Sequence, residues 1–231
     1  MNRLAEVPPT ASDVRGNAKG APAHQQVYHH LRNLILFGEL APGQPVTIQG
    51  LVAQLGAGMT PVREAIRRLT AEGALEFQGN RRVSVPVMTP AHIEELIFAR
   101  QAIEPQLTIR ATQRATQKDL EALAEIDKKL DIAIAKGDVG EYLKENYAFH
   151  SKLYSISDSP ILSELADGIW LRYGPSLRIV CGRMGTQNLP DQHKETLDAM
   201  RAGDCDRAAR AIREDVLQGM EQMRYALEHA D

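Results

Sequence analysis

The chain has 231 residues, of which 43% are hydrophobic and 25% are charged. This composition is typical of globular proteins with one large domain or two modest ones. No apolar run approaches the roughly 20 residues that a membrane-spanning helix needs, and the N-terminal segment lacks the apolar region of a signal peptide. We therefore expect a cytoplasmic protein. Cys181 and Cys205 have no metal-binding spacing and are expected to be free thiols.

The charges are distributed unevenly along the chain. Residues 1–89 carry 9 Lys and Arg against 6 Asp and Glu, a net charge of +3, whereas residues 90–231 carry 18 against 24, a net charge of −6. A basic first part joined to an acidic remainder favours contact between the first part and a polyanion. A net charge of +3 on such a segment is common by chance, so the asymmetry alone decides little.

The first 88 residues predict a disordered arm followed by a small DNA-binding domain. Residues 1–22 are rich in Pro, Ala, Gly and polar residues without periodicity, which indicates the arm. Amphipathic spacing and turn signals then predict helices near 24–37, 48–55 and 60–72, the last with Thr60 as N-cap and Pro61 at its first position. Two short β-prone runs at 75–78 and 81–85 flank Gly79-Asn80 and predict a hairpin. This order predicts a winged helix-turn-helix over residues 23–88.

From residue 89 onward the pattern is helical to the end of the chain, so the predicted fold class is mainly α. Thr116, Asp138, Ser159 and Asp204 are typical N-cap residues, and Gly137 and Gly203 interrupt the helical periodicity. The predicted helices are near 90–113, 117–135, 139–156, 160–180, 190–201 and 205–229. We expect them to form an all-helical domain of about six helices over residues 89–231.

The helix predicted over residues 60–72 has the pattern of a DNA recognition helix. Its apolar positions fall on one face, which leaves Thr60, Arg63, Arg67 and Arg68 for DNA. Arg63 lies in the first turn and is suited to bidentate contact with a guanine edge. Thr60 and the helix N-terminus suit a phosphate group. The alternative for each arginine is a solvated helix surface without a ligand.

A family resemblance covers this region. Residues 59–85 read MTPVREAIRRLTAEGALEFQGNRRVSV and resemble the signature of GntR-type transcription regulators. The resemblance implies DNA contact by Thr60, Arg63 and the wing around Gly79, with Arg81 and Arg82 at the hairpin tip suited to phosphate or minor-groove contact. The chain departs from the family at Met59, where Arg is frequent, and at Gln49, where a charged residue is frequent. Gln49 and Arg67 complete the set of DNA-binding candidates.

Polar residues interrupt the apolar stripes of four helices in the second half. They are Arg100, the pair Asn146 and His150 one turn apart, His193 and Asp215. Buried polar groups are stable when they meet partners. His193 and Asp215 each lie eleven residues from the turn at Asp204, so an antiparallel helix pair brings them level. Two imidazoles, a carboxylate and an amide oxygen predict a site for Zn, Ni, Mn or Fe, whereas the alternative is satisfied core histidines.

A second resemblance covers these positions. The segment ENYAFHSKLY is similar to the Asp-x-x-x-His helix of the FCD effector domain in the FadR branch of GntR regulators, and QHKETLDAMRAGDCDRAARAIRED is similar to its closing helix pair. The resemblance implies the metal ligands Asn146, His150, His193 and Asp215. Asn146 replaces the usual Asp and Asp215 replaces the usual third His, so the single carboxylate has moved to another helix.

The patterns and resemblances together predict a ligand-responsive transcription regulator. A homodimer is expected to place two recognition helices in successive major grooves of an operator, and a small organic acid is expected to bind the open metal positions and Arg100, with help from Arg172 or Arg178. Most relatives lose operator affinity on binding effector, which favours a repressor. Two alternatives stay open, namely a regulator with a degenerate ligand-free helical domain and a two-His-one-carboxylate metalloenzyme. No second catalytic acid or base and no phosphate-binding loop supports the enzyme.

Overall fold

The computed structural model describes residues 22–78, 82–184 and 191–229. Its N-terminal part is a winged helix-turn-helix, as predicted, in which the strand order is β1-β3-β2 and both pairs are antiparallel. Strand β1 was not predicted, because a two-residue strand has no periodicity to detect. Residues 1–21, Gly79 and Arg81 lie outside the described residues. The elements are α1 (Ala23–Leu36), β1 (Pro45–Val46), α2 (Ile48–Leu55), α3 (Met59–Ala71), β2 (Glu76–Gln78) and β3 (Arg82–Ser84).

The N-cap and the first residue of α3 lie two residues earlier than predicted. The helix begins at Met59, and its N-cap is Gly58 in extended conformation, with φ −72° and ψ 161°. The prediction of Thr60 as N-cap was therefore wrong. Pro61 misled the assignment because proline is tolerated throughout the first helical turn, where backbone N–H groups have no intrahelical partner, and not at the first position alone.

The remainder of the described chain is helical, as predicted. Thr116, Asp138 and Asp204 are N-caps, since their side chains accept hydrogen bonds from the backbone N–H of Asp119, Glu141 and Arg207. Helix α9 packs against both α4 and α8, and α5 packs against α6. The helices are α4 (Pro90–Arg114), α5 (Gln117–Lys136), α6 (Val139–Ile156), α7 (Pro160–Met184), α8 (Gln192–Arg201) and α9 (Cys205–Glu228).

Helix α7 joins the helical part to the winged helix-turn-helix by packing against α1. Arg32 forms an ion pair with Asp167 at 3.3 Å, and the Tyr147 hydroxyl donates a 2.7 Å hydrogen bond to the other oxygen of that carboxylate. The Arg178 guanidinium donates to the Phe37 carbonyl oxygen at 3.1 Å. Buried apolar residues of the two parts also form one continuous core among the described residues.

None of the helices in residues 22–78, 82–184 and 191–229 is both long and apolar enough to cross a membrane.

The contact between α1 and α7 depends on the absence of a side chain at Gly174. A Cβ atom there would lie 2.2 Å from the Leu36 carbonyl oxygen, so the backbones would have to separate. We expect Gly174→Ala to lower the free energy of unfolding by about 1–3 kcal/mol, the usual cost of overpacking. Gly168→Ala, on the same helix with no atom within 4 Å of the added Cβ, should instead raise it by about 0.5–1 kcal/mol. Urea unfolding of both variants measures this, and equal stabilisation of the two would contradict the close contact.

Candidate functional site

The predicted DNA-binding residues that the structure describes lie on the surface of the winged helix-turn-helix. Helix α3 buries Val62, Ala65, Ile66 and Leu69. The opposite side exposes the predicted contact residues Thr60, Arg63 and Arg67, and Gln49 on α2 and Arg82 on β3 are exposed as well. A shallow groove runs beside this face, between the start of α3 and the start of α1.

The arginines of α3 differ in how they are held. Arg67 forms an ion pair with Glu64 at 2.6 Å on the surface. Arg68 pairs with Glu72 at 2.9 Å and lies 3.7 Å above the Tyr28 ring, so it joins α3 to α1 and has a structural role. Arg63 has no ion-pair partner among the described residues. It is therefore the arginine of α3 that is most available to DNA.

The second group of candidates meets inside the helical part of the chain. The Nε2 atom of His150 lies 3.1 Å from Asp215 Oδ2 and 3.4 Å from His193 Nε2, and His193 Nε2 lies 3.6 Å from Asp215 Oδ1. Both histidines are buried, whereas the Asp215 side chain is 24% exposed. The antiparallel packing of α8 and α9 thus brings His193 and Asp215 face to face, as their equal spacing from Asp204 predicts.

Two further carboxylates support the histidines from behind. Glu104 on α4 lies 3.1 Å from His150 Nδ1, and Asp127 on α5 lies 3.6 Å from His193 Nδ1. A carboxylate beside Nδ1 favours the tautomer with its proton on that atom, and the Nε2 lone pair is then free for another ligand. Both Nε2 atoms point toward Asp215. The arrangement is that of imidazoles oriented for a common ligand.

The charges around this cluster reinforce one another. Burial alone would raise the pKa of Asp215, but the neighbouring His193 and His150 outweigh it and lower that pKa to about 2. Burial would likewise raise the pKa of Glu104, which Arg100 and His150 lower to about 2. Burial would lower the pKa of His150, but hydrogen bonds to Asp215 and Glu104 raise it. Asp215 and Glu104 are therefore ionised at neutral pH.

Arg100 already has partners inside the protein, which the sequence did not indicate. Its Nε atom forms a buried ion pair with Glu104, one turn along α4. Its guanidinium carbon lies 4.9 Å from the Trp170 ring centroid and 4.7 Å from that of Tyr173. A carboxylate ligand of Arg100 would have to share it with Glu104.

The cluster lines a small cavity of about 130 Å³. Its wall contains the predicted metal ligand Asn146 together with Arg100, and so brings both to the space next to His150, His193 and Asp215. Asn146 is half-buried and lies one helical turn before His150. The rest of the wall contains the carboxylates of Asp131 and Asp191, both paired with Lys194. It also contains apolar, aromatic and amide side chains, among them Leu130, Ile134, Trp170, Tyr173, Leu177, Gln218, Met220 and Gln222.

Arg172 and Arg178, predicted to help bind an effector, do not line this cavity. The Arg172 guanidinium is so near Gly73 of the winged helix-turn-helix that a Cβ atom there would lie 2.8 Å from it. Arg178 donates to Phe37, at the end of α1. Both residues lie on the side of α7 that faces the N-terminal domain. The sequence placed them near an apolar stripe of α7, but it did not specify which neighbouring element that stripe contacts.

Glu104 and Asp127 were not predicted, although both are polar residues that interrupt the apolar stripe of a helix, as His150 does. Glu104 lies between Arg100 and Leu107 on the buried stripe of α4, and Asp127 lies between Leu123 and Leu130 on that of α5. Glutamate and aspartate are so abundant on helix surfaces that a single one on a stripe attracts little notice. Asking which buried group each histidine needs as a partner would have pointed to them.

Known protein families account for most of the chain. Residues 23–85 match the family described as bacterial regulatory proteins, gntR family, and residues 95–218 match the FCD domain. The HTH-type transcriptional regulator McbR of Escherichia coli (strain K12) is 33% identical over 162 residues, which cover 70% of this chain and 73% of McbR. The HTH-type transcriptional repressor RspR of the same strain is 25% identical over 208 residues, 88% of this chain and 90% of RspR.

Solved structures are similar over nearly the same length. The structure of E. coli McbR/YncC has a TM-score of 0.82 at 28% identity and covers 88% of this chain and 97% of its own. A transcriptional regulator GntR from Rhodococcus sp. RHA1 has a TM-score of 0.74 at 25% identity and covers 88% of this chain and 98% of its own.

The buried contact of Glu104 with Arg100 and His150 should be essential for stability. Removing one partner of a buried ion pair leaves the other charge uncompensated, which costs about 3–5 kcal/mol. We expect Glu104→Gln to lower the free energy of unfolding by that amount. Glu95→Gln changes an exposed residue of the same helix and should change it by less than about 0.5 kcal/mol. Urea unfolding compares them, and a Glu104→Gln protein as stable as the wild type would contradict the ion pair.

Proposed function

Because the chain belongs to the GntR family of bacterial transcription regulators and carries the FCD domain, we propose that it is a homodimeric repressor whose operator affinity falls when a small organic acid binds beside a divalent metal ion. One observation carries the sensor half of this proposal. It is the convergence of His150, His193 and Asp215 on a single cavity.

Helix α3 is the proposed reader of the operator. In a major groove, Arg63 would contact a guanine edge, and Thr60 with the first backbone amides would contact a phosphate. Gln49, Arg67 and Arg82 would contact the backbone of the duplex, and Gly79 and Arg81 of the wing complete the proposed set. The exposure of Thr60, Arg63 and Arg67 on one side of α3 supports this role.

A homodimer is proposed because a two-fold operator needs two recognition helices. Phe98 on α4 and Ile161 on α7 are exposed by 77% and 75%, more than any other large hydrophobic side chain among the described residues. Apolar side chains that form a contiguous exposed patch are typical of surfaces that another protein covers. We assign them to the face between two copies of the chain.

A divalent metal fits the donor set. Ligands that each lie about 2.1 Å from one metal ion are separated by about 3.0–3.4 Å. His150 Nε2 lies 3.1 Å from Asp215 Oδ2 and 3.4 Å from His193 Nε2, which lies 3.6 Å from the other oxygen of Asp215, so the donor separations are close to that range. His150, His193 and Asp215 would hold the ion, with the Asn146 amide oxygen as a fourth candidate ligand. Glu104 and Asp127 supply the outer carboxylates that usually orient metal-binding histidines. When bound, the metal would offer open positions to a ligand oxygen.

The charge of the cavity supports the same conclusion. Glu104, Asp127 and Asp215 bring three carboxylates to the two histidines against the single guanidinium of Arg100, and Asp131 and Asp191 on the cavity wall share the one ammonium group of Lys194. At least two negative charges therefore remain when both imidazoles are neutral. A divalent cation would balance them. An organic anion would then be attracted mainly by the metal. Arg100 would contribute only through guanidinium N–H groups that do not bind Glu104.

Helix α7 is the proposed link between the cavity and DNA. One side of α7 supplies Trp170, Tyr173 and Leu177 to the cavity wall, and another carries the contacts with α1 described above. Because interiors are close-packed, a ligand that favours one position of α7 also favours one position of α1. The spacing of two recognition helices, and hence operator affinity, would change.

The DNA half of the proposal can be tested with Arg63→Ala. The operator is first selected from a random double-stranded library with the wild-type protein, and affinities are then measured by fluorescence anisotropy at several salt concentrations. Loss of a bidentate guanine contact costs about 1–3 kcal/mol, so we expect a 5–150-fold weaker complex with relaxed preference at one base pair. Arg67→Ala should weaken all sequences alike and reduce the salt dependence. Arg114→Ala, in the helical domain, should change nothing, and an unaffected Arg63→Ala would contradict the proposed docking.

The sensor half can be tested by metal analysis. Purified protein is stripped with a chelator and titrated with Zn, Ni, Mn and Fe(II) by calorimetry and thermal shift. Asp215→Asn removes a charged donor while keeping its size, and we expect metal affinity to fall at least 100-fold. Asp198→Asn, exposed on α8, serves as the control and should bind as the wild type does. If no metal binds and no organic acid raises the melting temperature, the chain is instead a regulator with a ligand-free helical domain.

A further inference from the structure

The buried polar atoms of the aromatic residues around the cavity are satisfied, with one exception; Tyr142 on the wall has no hydrogen-bond partner among the described residues either, but its side chain is only half-buried and water can reach it. Trp170 Nε1 donates to the Tyr154 hydroxyl at 3.1 Å, that hydroxyl lies 3.4 Å from His150 Nδ1, and the Tyr147 hydroxyl donates to Asp167. The Tyr173 hydroxyl has no hydrogen-bond partner among the described residues. Yet Tyr173 is only 1% exposed and belongs to the cavity wall.

Packing alone does not explain a tyrosine at this position. A buried hydroxyl group without a partner is unfavourable, so phenylalanine would fill the same space at lower free energy. The other unpartnered atoms of the site behave differently, because His193 Nδ1 and Asp127 Oδ1 face each other at 3.6 Å. Tyr173 has no such counterpart. Its hydroxyl group is therefore available to something that enters the cavity.

The position and chemistry of Tyr173 suit ligand recognition. Its ring lies against the Arg100 guanidinium, one helical turn after Trp170, which fixes the side chain between rigid neighbours. Burial raises the pKa of Tyr173 well above its ordinary value, so the group stays a neutral phenol that can donate a hydrogen bond to an oxygen atom.

We infer that Tyr173 is a specificity-determining residue whose hydroxyl group binds a second oxygen atom of the acid that the metal site holds. The inference rests on the proposed sensor function. The cavity measures about 130 Å³, a small volume that favours a short acid. Its carboxylate occupies the side of His150, His193 and Asp215, and a hydroxyl, keto or further carboxylate oxygen meets Tyr173.

Matched acids test this inference. Binding of propionate and lactate, butyrate and 3-hydroxybutyrate, and succinate and malate to metal-loaded protein is measured by calorimetry for the wild type, Tyr173→Phe and Tyr225→Phe. Each pair differs by one hydroxyl group. We expect the wild type to prefer the hydroxylated member of at least one pair by tenfold or more, Tyr173→Phe to reduce that preference to under threefold, and Tyr225→Phe, an exposed tyrosine on α9, to retain it.

The outcomes separate the two proposals. If acids bind but Tyr173→Phe keeps the wild-type preference, the hydroxyl group serves only water in the cavity and this inference is overturned while the sensor function stands. If none of the acids binds the metal-loaded wild type, the organic-acid proposal fails and the inference fails with it. The melting temperature of Tyr173→Phe without acid is a second measurement. A value at or above that of the wild type supports a hydroxyl group kept for a ligand, and a fall of several degrees indicates a structural role instead.

Discussion

The buried contact of Glu104 with Arg100 and His150 is the interaction on which the helical part of the molecule depends. Glu104 is 1% exposed, and such a carboxylate is stable only because a guanidinium and an imidazole both approach it. The same contact determines the chemistry of the site, because a carboxylate at Nδ1 of His150 directs Nε2 toward Asp215. Stability and ligand geometry therefore arise from one group. A change that releases Glu104 would be felt both in the core and at the candidate metal ligands.

Helix α7 extends this dependence to the rest of the chain. Trp170 lies 5.0 Å from the His150 ring and 5.5 Å from the Tyr147 ring, which in turn lies 6.0 Å from Phe37 at the end of α1. This row of rings is contiguous from the cavity to the DNA-binding half. Such packing is stiff, and the close approach of Gly174 to Leu36 leaves little room for sliding. Under the proposed function, coupling would consist of a small shift of α7 as a body rather than a series of independent side-chain movements.

Features that depend on helical periodicity and residue spacing could be predicted from the sequence, whereas features that depend on which elements contact each other could not. The position of His193 opposite Asp215 could be predicted from the helical rise and a turn at Asp204, because both are local properties. The effector role of Arg172 and Arg178 did not follow, because a helix position says which residues share a face but not which element covers it. Glu104 and Asp127 were missed for the opposite reason, since common surface residues become informative only once a buried imidazole is known to need them. Strand β1 is defined by its pairing with β3, which no local pattern reveals.

The departures from the family pattern at positions 146 and 215 gain meaning from the charge balance. With Asn146 neutral, Asp215 is the one charged ligand candidate, yet Glu104 and Asp127 behind the histidines keep the cavity negative. While both imidazoles are neutral, an organic anion that entered without a metal would meet unbalanced carboxylates and an arginine already paired with Glu104. Repulsion of that kind is strong where water is excluded. If the proposed function holds and both imidazoles are neutral, a bound metal ion would therefore favour entry of the acid.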